Sequence, residues 1–336
     1  EGEEEPQEAT QVSDEEDIFV PEEIKAPKVI AVNTKSATEK KIHIAELCHS
    51  ITTDPEAAFK KIKDDSHHKK THKINDLFNY LRDTDGMVVE VAMLSALLIF
   101  KDICPSYRIR PLDEQNKDVQ LKKETKKLRD YEQSLLLSYQ IYIKFLDSCV
   151  RSHLGTDAHV KMSSTTSLGV SALRCQCELL RFLPHFNFRS NLLTSVVNRA
   201  AQAYVPTSSL CCDTITQLFS HDKDGEISFE IIQLISQTLV TYKYHISTSL
   251  LNTLKTVKLT VHADQSSALK KKVKQDKRKR KRSADDVEAG LLEAEISTSA
   301  AISKRFQANS LHEVCLIYFR YTFDVIYCYC FSHCIR

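Results

Sequence analysis

The most apolar stretch of the chain is Met87–Ile103, and only Glu90, Ser95, Lys101 and Asp102 interrupt it with polar side chains. A helix that is apolar on every side is buried, whereas an amphipathic helix leaves its polar face in water. The stretch is shorter than the about 20 residues that cross a bilayer, and Glu90 lies near its start. It therefore predicts a buried inner helix of a soluble fold.

A second helix is predicted after a break at Cys104–Pro111. Beyond this break, apolar side chains recur every seven residues, at Leu121, Leu128, Leu135, Tyr142 and Cys149. The spacing predicts one long helix within Asp118–Val150. Because charged residues dominate its beginning, we expect the first half of this helix to be exposed.

Capping residues and apolar periodicity predict helices on both sides of this pair. Asp54-Pro55 is typical of an N-cap followed by proline at the first helical position. The other predicted helical segments begin at Thr38 or span Ile74–Leu81, Leu168–Leu183, Leu192–Tyr204, Ser208–Phe219, Ile227–Tyr244 and Ile246–Val261. Because helix pairs recur about every 40 residues, we predict an all-α, HEAT/armadillo-like helical-hairpin solenoid. A non-repeating helical bundle is the structural alternative.

The composition agrees with a helical fold. Of 336 residues, 42% are hydrophobic, enough for a substantial core, and only six are glycine and eight proline. Sandwiches, barrels and nucleotide-binding loops need glycine in their turns, so its scarcity argues against most phosphate-binding catalytic folds. The sequence also lacks a nucleophile elbow, a Walker loop, a dinucleotide fingerprint and a zinc-protease motif. We therefore predict a protein that is not an enzyme and holds no cofactor.

The chain contains eleven cysteines, an odd number, scattered through apolar helical patterns. We expect free, buried thiols in a reducing compartment. The pairs Cys175/Cys177 and Cys211/Cys212 lack the spacing of zinc ligands. Residues 328–334 look more ligand-like, and His67–His72 is histidine-rich, but both favour a structural or linker interpretation. No metal site is predicted.

Asp222–Ile227 resembles the middle of a calcium-binding loop. With Gly225 at the sixth loop position, Ser220 is a weak first ligand and Ile231 stands where the bidentate glutamate is required. The segment therefore favours an interhelical turn, with Asp224 or Ser228 near a helix start.

Charges are segregated along the chain although the net charge is only +1. Glu1–Glu23 contains eleven acidic and no basic residues, and we expect a disordered acidic tail over residues 1–36. Ser13 precedes four acidic residues and is a candidate phosphorylation site for an acid-directed kinase. Because the chain begins with Glu1, we also expect it to be shortened at its N-terminus.

A dense basic run lies near the other end of the chain. Its cationic residues are Lys270, Lys271, Lys272, Lys274, Lys277, Arg278, Lys279, Arg280, Lys281 and Arg282. Such like charges repel one another, so we expect a solvated segment over residues 263–290. It predicts recognition by a nuclear import receptor and salt-sensitive RNA contact.

A further candidate site lies in the break before the long helix. Tyr107, Arg108 and Arg110 surround Ile109, and Pro111 favours an extended conformation at the residue before it. In an extended segment both guanidinium groups project to one side, where they suit phosphates or carboxylates. We predict an anchor for a partner protein or RNA. Salt bridges to neighbouring helices are the equal alternative.

Six stretches within residues 70–322 resemble the nucleolar complex-associated protein 3 family. They are Ile99–Pro111, Leu128–Gln133, His185–Arg189, Leu218–Ser228, Leu292–Glu295 and Glu313–Arg320. The resemblance implies a non-enzymatic helical scaffold of the nucleus and nucleolus that acts in large (60S) ribosomal subunit biogenesis. The implied partners are nucleolar complex-associated protein 2 and pre-60S particles, with their ribosomal RNA and ribosomal proteins. The alternative is a chromatin-associated factor in DNA replication initiation that binds replication-licensing proteins.

The resemblance also implies a domain order. The predicted scaffold covers residues 38–262 and the basic segment residues 263–290. Residues 291–323 would begin a helical domain related to the CCAAT-binding factor, and residues 324–336 depart from the family pattern.

Overall fold

Helices α1 to α3 build one end of the fold. The computed structural model describes residues 36–59, 73–110, 123–154, 164–202, 205–243, 245–259 and 301–323. The first three helices are α1 (Ala37–Thr53), α2 (Pro55–Phe59) and α3 (Lys73–Tyr80). Asp54 caps α2 by accepting a hydrogen bond from the Ala57 N–H at 3.1 Å. The predicted N-cap and the proline at the first helical position are therefore confirmed.

Helix α4 (Gly86–Ile103) and helix α5 (Lys123–Leu154) correspond to the two central predicted helices. Asp85 begins α4 by accepting a hydrogen bond from the Met87 N–H at 2.9 Å. Of the heptad positions within the described residues, Leu135, Tyr142 and Cys149 are buried. The start of α5 is exposed, as predicted, and this exposure extends to Leu128.

Helix α4 differs from the prediction in its burial. Ile99 and Phe100 are fully buried on its inner face, but Met87, Leu94 and Leu98 are between 42% and 60% exposed. Leu94 follows Met87 by seven residues and Leu98 follows Leu94 by four, so all three lie on one side of the helix. Helix α4 is therefore not enclosed on all sides, because α1 and α6 leave its outer face uncovered within the described part of the chain.

The remaining described helices continue the all-α packing. They are α6 (Ser164–Phe182), α7 (Arg189–Ala200), α8 (Val205–His221), α9 (Glu226–Thr241), α10 (Thr248–Thr253) and α11 (301–323). Helices α4, α6, α8 and α10 follow one another side by side, while α5 packs on α6 and α7 on both α8 and α9. All regular structure in the described residues is helical, which confirms the all-α fold.

Helix α10 is shorter than the predicted Ile246–Val261. It ends at Thr253 and continues only as a 3₁₀ turn, Leu254–Thr256. The Thr253 hydroxyl donates to the Leu250 carbonyl and the Thr256 hydroxyl to the Thr253 carbonyl, each at 2.7 Å. Threonine side chains that bond the preceding turn compete with the helical backbone and disfavour its continuation.

An aromatic cluster forms the core beneath the connection between α4 and α5. The Phe100 ring lies 5.3 Å from Tyr139 and 5.2 Å from Tyr142, and the Tyr139 ring lies 4.9 Å from Phe186. The Tyr142 hydroxyl donates to the Met93 carbonyl at 2.9 Å, so its burial leaves no unsatisfied donor. This cluster fixes the relative positions of α4, α5 and the turn after α6.

Candidate functional site at the loop edge

Side chains that lie in or directly after three connections between helices link these connections. They are the described part of the α4–α5 loop (Cys104–Arg110), the α6–α7 turn (Leu183–Phe188) and the α8–α9 turn (Asp222–Gly225). We call these three connections together the loop edge. Most of the stretches that carry the family resemblance lie at this edge or directly beside it.

Around Ile109, the α4–α5 loop alternates between exposed and buried side chains. Tyr107, Arg108 and Arg110 are exposed, whereas Ile109 is only 4% exposed. Alternation with a period of two is the pattern of an extended segment, in which side chains two residues apart point the same way. Arg108 and Arg110 therefore lie on the outer side of the loop, opposite the buried Ile109.

Asn187 holds this segment through two backbone hydrogen bonds. Its side-chain oxygen accepts from the Ile109 N–H and its side-chain nitrogen donates to the Ile109 carbonyl, both at 2.9 Å. Both contacts are buried and join residues 78 positions apart in the chain. The amide of Asn187 thus takes the place that a neighbouring β-strand would have.

The neighbours of Asn187 fix its position. Phe186 is buried against Tyr139, as described above, and Phe188 lies 6.5 Å from the same ring. Phe188 has a left-handed backbone with φ of 61°, which costs about 1 kcal/mol in a residue with a Cβ. The left-handed residue turns the chain so that Asn187 faces Ile109 while α7 begins at Arg189.

Arg189 joins the start of α7 to the start of α9. Its Nε donates to Glu230 at 2.8 Å and its Nη2 to Glu226 at 3.0 Å. Burial alone would lower the pKa of Arg189, but the two carboxylates outweigh that effect and raise it. The ion pairs fix α7 and α9 relative to each other at the loop edge.

The α8–α9 turn is an interhelical turn, as the sequence favoured over calcium binding. The Asp222 carboxylate accepts from the Gly225 N–H at 3.0 Å and from the Ser228 N–H and hydroxyl at 2.8 and 2.7 Å. Gly225 has a φ of 83°, which suits glycine. The predicted residues near the helix start included Ser228, but the capping carboxylate belongs to Asp222.

Tyr107 connects the α4–α5 loop to α5. Its hydroxyl donates to the Glu132 carboxylate at 2.8 Å. This carboxylate raises the pKa of Tyr107, because its hydrogen bond from the hydroxyl stabilises the protonated phenol. Tyr107 stays 55% exposed.

The loop edge carries positive charge and exposed rings. Lys123, Lys126 and Lys127 are exposed in the first turns of α5. At the end of α6, Phe182 is 57% exposed, and the Lys101 ammonium lies 3.2 Å from the centre of its ring. Such an arrangement can bind an anion and can offer an aromatic face.

The other predicted sites fall elsewhere. Lys270–Arg282 and Ser13 lie outside the described residues, as do His67–His72 and residues 328–334. The described residues contain no group of three or more His, Cys, Asp or Glu side chains placed to hold a metal ion. In the same residues, no helix is both long and apolar enough to cross a membrane.

Cysteines in the described part of the chain are free, and most are buried. Burial raises the pKa of Cys175 to about 12 and that of Cys149 to about 11, so both thiols stay protonated. Cys315 on α11 differs from the prediction of buried thiols, because it is exposed.

Asn187 was not predicted as a site residue. It lies within the stretch His185–Arg189 that carries the family resemblance, but nothing in the sequence indicates its partner Ile109. The only local signal was an amide residue between two phenylalanines after the helix-ending Pro184.

Comparison with known proteins agrees with the resemblance seen in the sequence. A family model for nucleolar complex-associated proteins, NOC3p, matches residues 39–142, from α1 to the middle of α5. The nucleolar complex protein 3 homolog of Danio rerio is 33% identical over 304 residues, which cover 84% of this chain and 36% of the relative. The chain belongs to the nucleolar complex-associated protein 3 family.

Other members of the family have a similar sequence identity to this chain. The Mus musculus homolog is 30% identical over 334 residues, 92% of this chain and 40% of that protein. Nucleolar complex-associated protein 3 of Saccharomyces cerevisiae is 32% identical over 216 residues, 63% of this chain and 32% of the relative. The chain thus spans about a third to two fifths of the length of these three relatives.

The names of these relatives bear on location and activity. They confirm the nuclear and nucleolar localisation predicted from the sequence. They indicate a nucleolar role and describe no enzymatic activity. The NOC3p match includes Tyr107, Arg108, Arg110 and Glu132, so the α4–α5 loop lies inside the family region.

Proposed function

We propose that the protein is a non-enzymatic scaffold in the assembly of the large ribosomal subunit in the nucleolus. It binds nucleolar complex-associated protein 2 and associates with pre-60S particles, which contain ribosomal RNA and ribosomal proteins. The observation that carries the proposal is the convergence of family stretches at the loop edge. Ile99–Pro111, His185–Arg189 and Leu218–Ser228 are distant in sequence but joined there through Ile109–Asn187 and Arg189–Glu226 contacts.

Buried contacts and ion pairs between the helices support a scaffold role. The buried aromatic cluster and the ion pairs of Arg189 hold the exposed loop edge in one arrangement. Binding energy is then not spent on ordering the loop. Tyr107, Arg108 and Arg110 serve in this proposal as the anchor to the particle.

The proposed role is tested by asking which nucleic acid accompanies the protein. The tagged chain is crosslinked in cells, and nuclear extract is separated on a sucrose gradient. We expect the protein to sediment with large-subunit precursors and to recover ribosomal RNA together with nucleolar complex-associated protein 2. Recovery of replication-origin DNA with licensing proteins, and no ribosomal RNA, would favour the replication role instead.

The basic segment has its own test. We propose that Lys270–Arg282 directs nuclear import through an import receptor. Reversing the charges at positions 277–282 should leave the protein in the cytoplasm. Adding an unrelated import signal to this variant should restore nucleolar staining, because the scaffold itself is intact. Unchanged nucleolar staining without the added signal would contradict the assignment.

A further inference from the structure

We propose that a cavity between the α8–α9 turn, residues 257–259 and α11 binds an organic phosphate monoester. The cavity has a volume of about 280 Å³. Its ligand contacts come from Ser310 on α11 and from two lysines, Lys223 and Lys258, which line the same space. The site is separate from the α4–α5 loop, so it goes beyond the proposed function and does not rest on it.

The first argument is a buried hydroxyl that lines the cavity. Ser310 is 2% exposed, and its Oγ makes no hydrogen bond with any described residue. A serine inside a helix usually bonds the carbonyl four residues earlier or points into water. Ser220 follows this rule by donating to the Thr216 carbonyl at 2.8 Å, whereas Ser310 does neither. Because buried polar atoms are almost always paired in folded proteins, the Ser310 hydroxyl indicates a ligand group in the cavity.

The second argument is the positive charge at the cavity. Lys223 and Lys258 are both exposed, so their ammonium groups are in reach of an entering ligand. The Lys258 ammonium also donates to the Ser220 carbonyl at the end of α8. An ammonium has three donors, so this contact positions the charge without using all of its donors. Two ammonium groups beside a buried hydroxyl suit an anion, and lysine is a common ligand of phosphate.

Asp222 also lines the cavity, but its carboxylate is already occupied. It accepts from the Gly225 N–H and from the N–H and hydroxyl of Ser228. These contacts disfavour a cation as the ligand, because they use both oxygens of the one acidic lining residue. Two lysines against one aspartate leave one excess positive charge among the lining residues.

The third argument is the number of donors. A phosphate monoester has three terminal oxygens that accept hydrogen bonds. The two ammonium groups and the Ser310 hydroxyl offer one donor group for each of them. The diester of a nucleic acid backbone has only two terminal oxygens, so it would leave one of these groups without a partner.

The fourth argument is the size and the apolar wall of the cavity. A volume of about 280 Å³ equals that of roughly nine waters at about 30 Å³ each, so a phosphate ion alone does not fill it. Phe219, Val257 and Leu259 form an apolar part of its lining. Small-molecule sites combine such an apolar lining with a few polar groups that orient the ligand. An organic group attached to the phosphate can therefore pack against these three side chains.

The test is isothermal titration calorimetry of the purified full chain with phenyl phosphate as the probe. Every protein carries glutamine at positions 277–282, and the buffer contains about 150 mM salt, so that the basic segment does not dominate binding. We expect saturable binding of phenyl phosphate. Inorganic phosphate should bind at least about tenfold more weakly, because it buries no apolar group. Benzyl alcohol, which has the ring without the charge, should not bind.

Absence of saturable phenyl phosphate binding would overturn the proposal and leave a cavity filled by water. Equal affinities for inorganic and phenyl phosphate would overturn the organic part of the ligand. Binding of benzyl alcohol as tight as that of phenyl phosphate would overturn the choice of an anion.

A glycine-flanked phosphotyrosine peptide carries the same chemical group and identifies its source. An affinity equal to that of phenyl phosphate supports the site and assigns it to a phosphorylated side chain of a partner. Binding at least about tenfold weaker supports the site and assigns it to a free molecule, because the apolar wall then excludes the flanking peptide backbone.

Ser310→Ala tests the buried hydroxyl. Phenyl phosphate affinity should fall about threefold or more through loss of one hydrogen bond. The melting temperature without ligand should stay the same or rise, because the substitution removes a buried polar atom without a partner. Asn309→Ala is the matched control, since Asn309 is the exposed neighbour, and it should leave affinity within about twofold. Equal affinities of the Ser310→Ala variant and its control would overturn the role of Ser310.

Lys223→Glu tests the charge at an exposed position, where the substitution does not threaten folding. It should weaken phenyl phosphate binding at least about fivefold, since it replaces an attraction with a repulsion. Lys255→Glu makes the same charge change at an exposed lysine that does not line the cavity. Equal losses in these two variants would show that binding follows the net charge of the protein, and this result would overturn the site.

Discussion

Lys40 and Asp83 connect α1 to the turn before α4 through an ion pair of 2.7 Å. Both side chains are less than a tenth exposed. Burial on its own would raise the pKa of Asp83, but hydrogen bonds from the Asp85 N–H and the Lys40 ammonium outweigh burial and lower it. The charged form of Asp83 therefore stabilises the fold.

The pH dependence of stability follows from the lowered pKa of Asp83. A carboxyl whose pKa is lower in the folded state stabilises the fold above its unfolded pKa of about 4, and this contribution is lost as the pH falls through the folded pKa. Lys40→Met should lower the free energy of unfolding by about 2 kcal/mol at pH 7, between the values for exposed and fully buried pairs. The difference from the original protein should shrink below pH 4.

Lys41→Met is the control for this prediction, because Lys41 lies beside Lys40 but is only half-buried. It should change the free energy of unfolding by about 0.5 kcal/mol or less. Urea unfolding at pH 7 and at several values below pH 4 gives both quantities. A loss for Lys40→Met that stays constant with pH would show that Asp83 is not its electrostatic partner.

Capping residues show what the sequence can and cannot reveal at the residue scale. The Asp54-Pro55 cap was predictable, because its donor is the backbone N–H only three residues further on. The Asn187–Ile109 contact was not, because sequence separation of 78 residues leaves the pairing to the tertiary fold. The same limit left a salt bridge and an external ligand as equal alternatives for Arg108 and Arg110.

At the scale of single elements, apolar periodicity predicted where the helices lie better than it predicted which of their faces are buried. The predicted Ile227–Tyr244 corresponds to Glu226–Thr241, because caps and periodicity are local. Burial depends on which neighbours cover a face, so a nearly continuous apolar sequence did not distinguish the buried Phe100 from the exposed Leu98 in α4. The shortened α10 reflects side-chain hydrogen bonds of threonine that apolar periodicity ignores.

The start of α9 depends on a glycine, which gives a prediction for this element. Gly225 has a positive φ, and an added Cβ would lie 3.4 Å from the Phe306 Cβ of α11. Gly225→Ala should therefore lower the free energy of unfolding by about 1–2 kcal/mol, the cost of a left-handed conformation with a Cβ.

Gly86→Ala is the matched control, since Gly86 begins α4 and a Cβ there meets no atom within 4 Å. We expect this change to stabilise the protein slightly or to have no effect, because alanine is the better helix former. Urea midpoints of both variants decide the comparison. A larger loss for Gly86→Ala than for Gly225→Ala would contradict the described conformation of the two turns.

For the whole molecule, the family stretches acquire a common meaning only once the chain is folded. Ile99–Pro111 supplies the outward arginines, Leu128–Gln133 supplies the Glu132 that holds Tyr107, and His185–Arg189 supplies the amide beneath them. The sequence predicted the helical class and the nucleolar family. It did not predict that these separate stretches build one surface, because that requires the packing of α4, α5, α6 and α7.

We propose that the loop edge anchors the protein to the ribosomal RNA of pre-60S particles. This anchoring is tested most directly by ultraviolet crosslinking in cells, followed by mass spectrometry of the peptides that carry RNA adducts. We expect adducts on the peptide containing Tyr107, since exposed rings beside bound phosphates stack on bases. Adducts confined to residues 263–290, with none on residues 104–110, would contradict it.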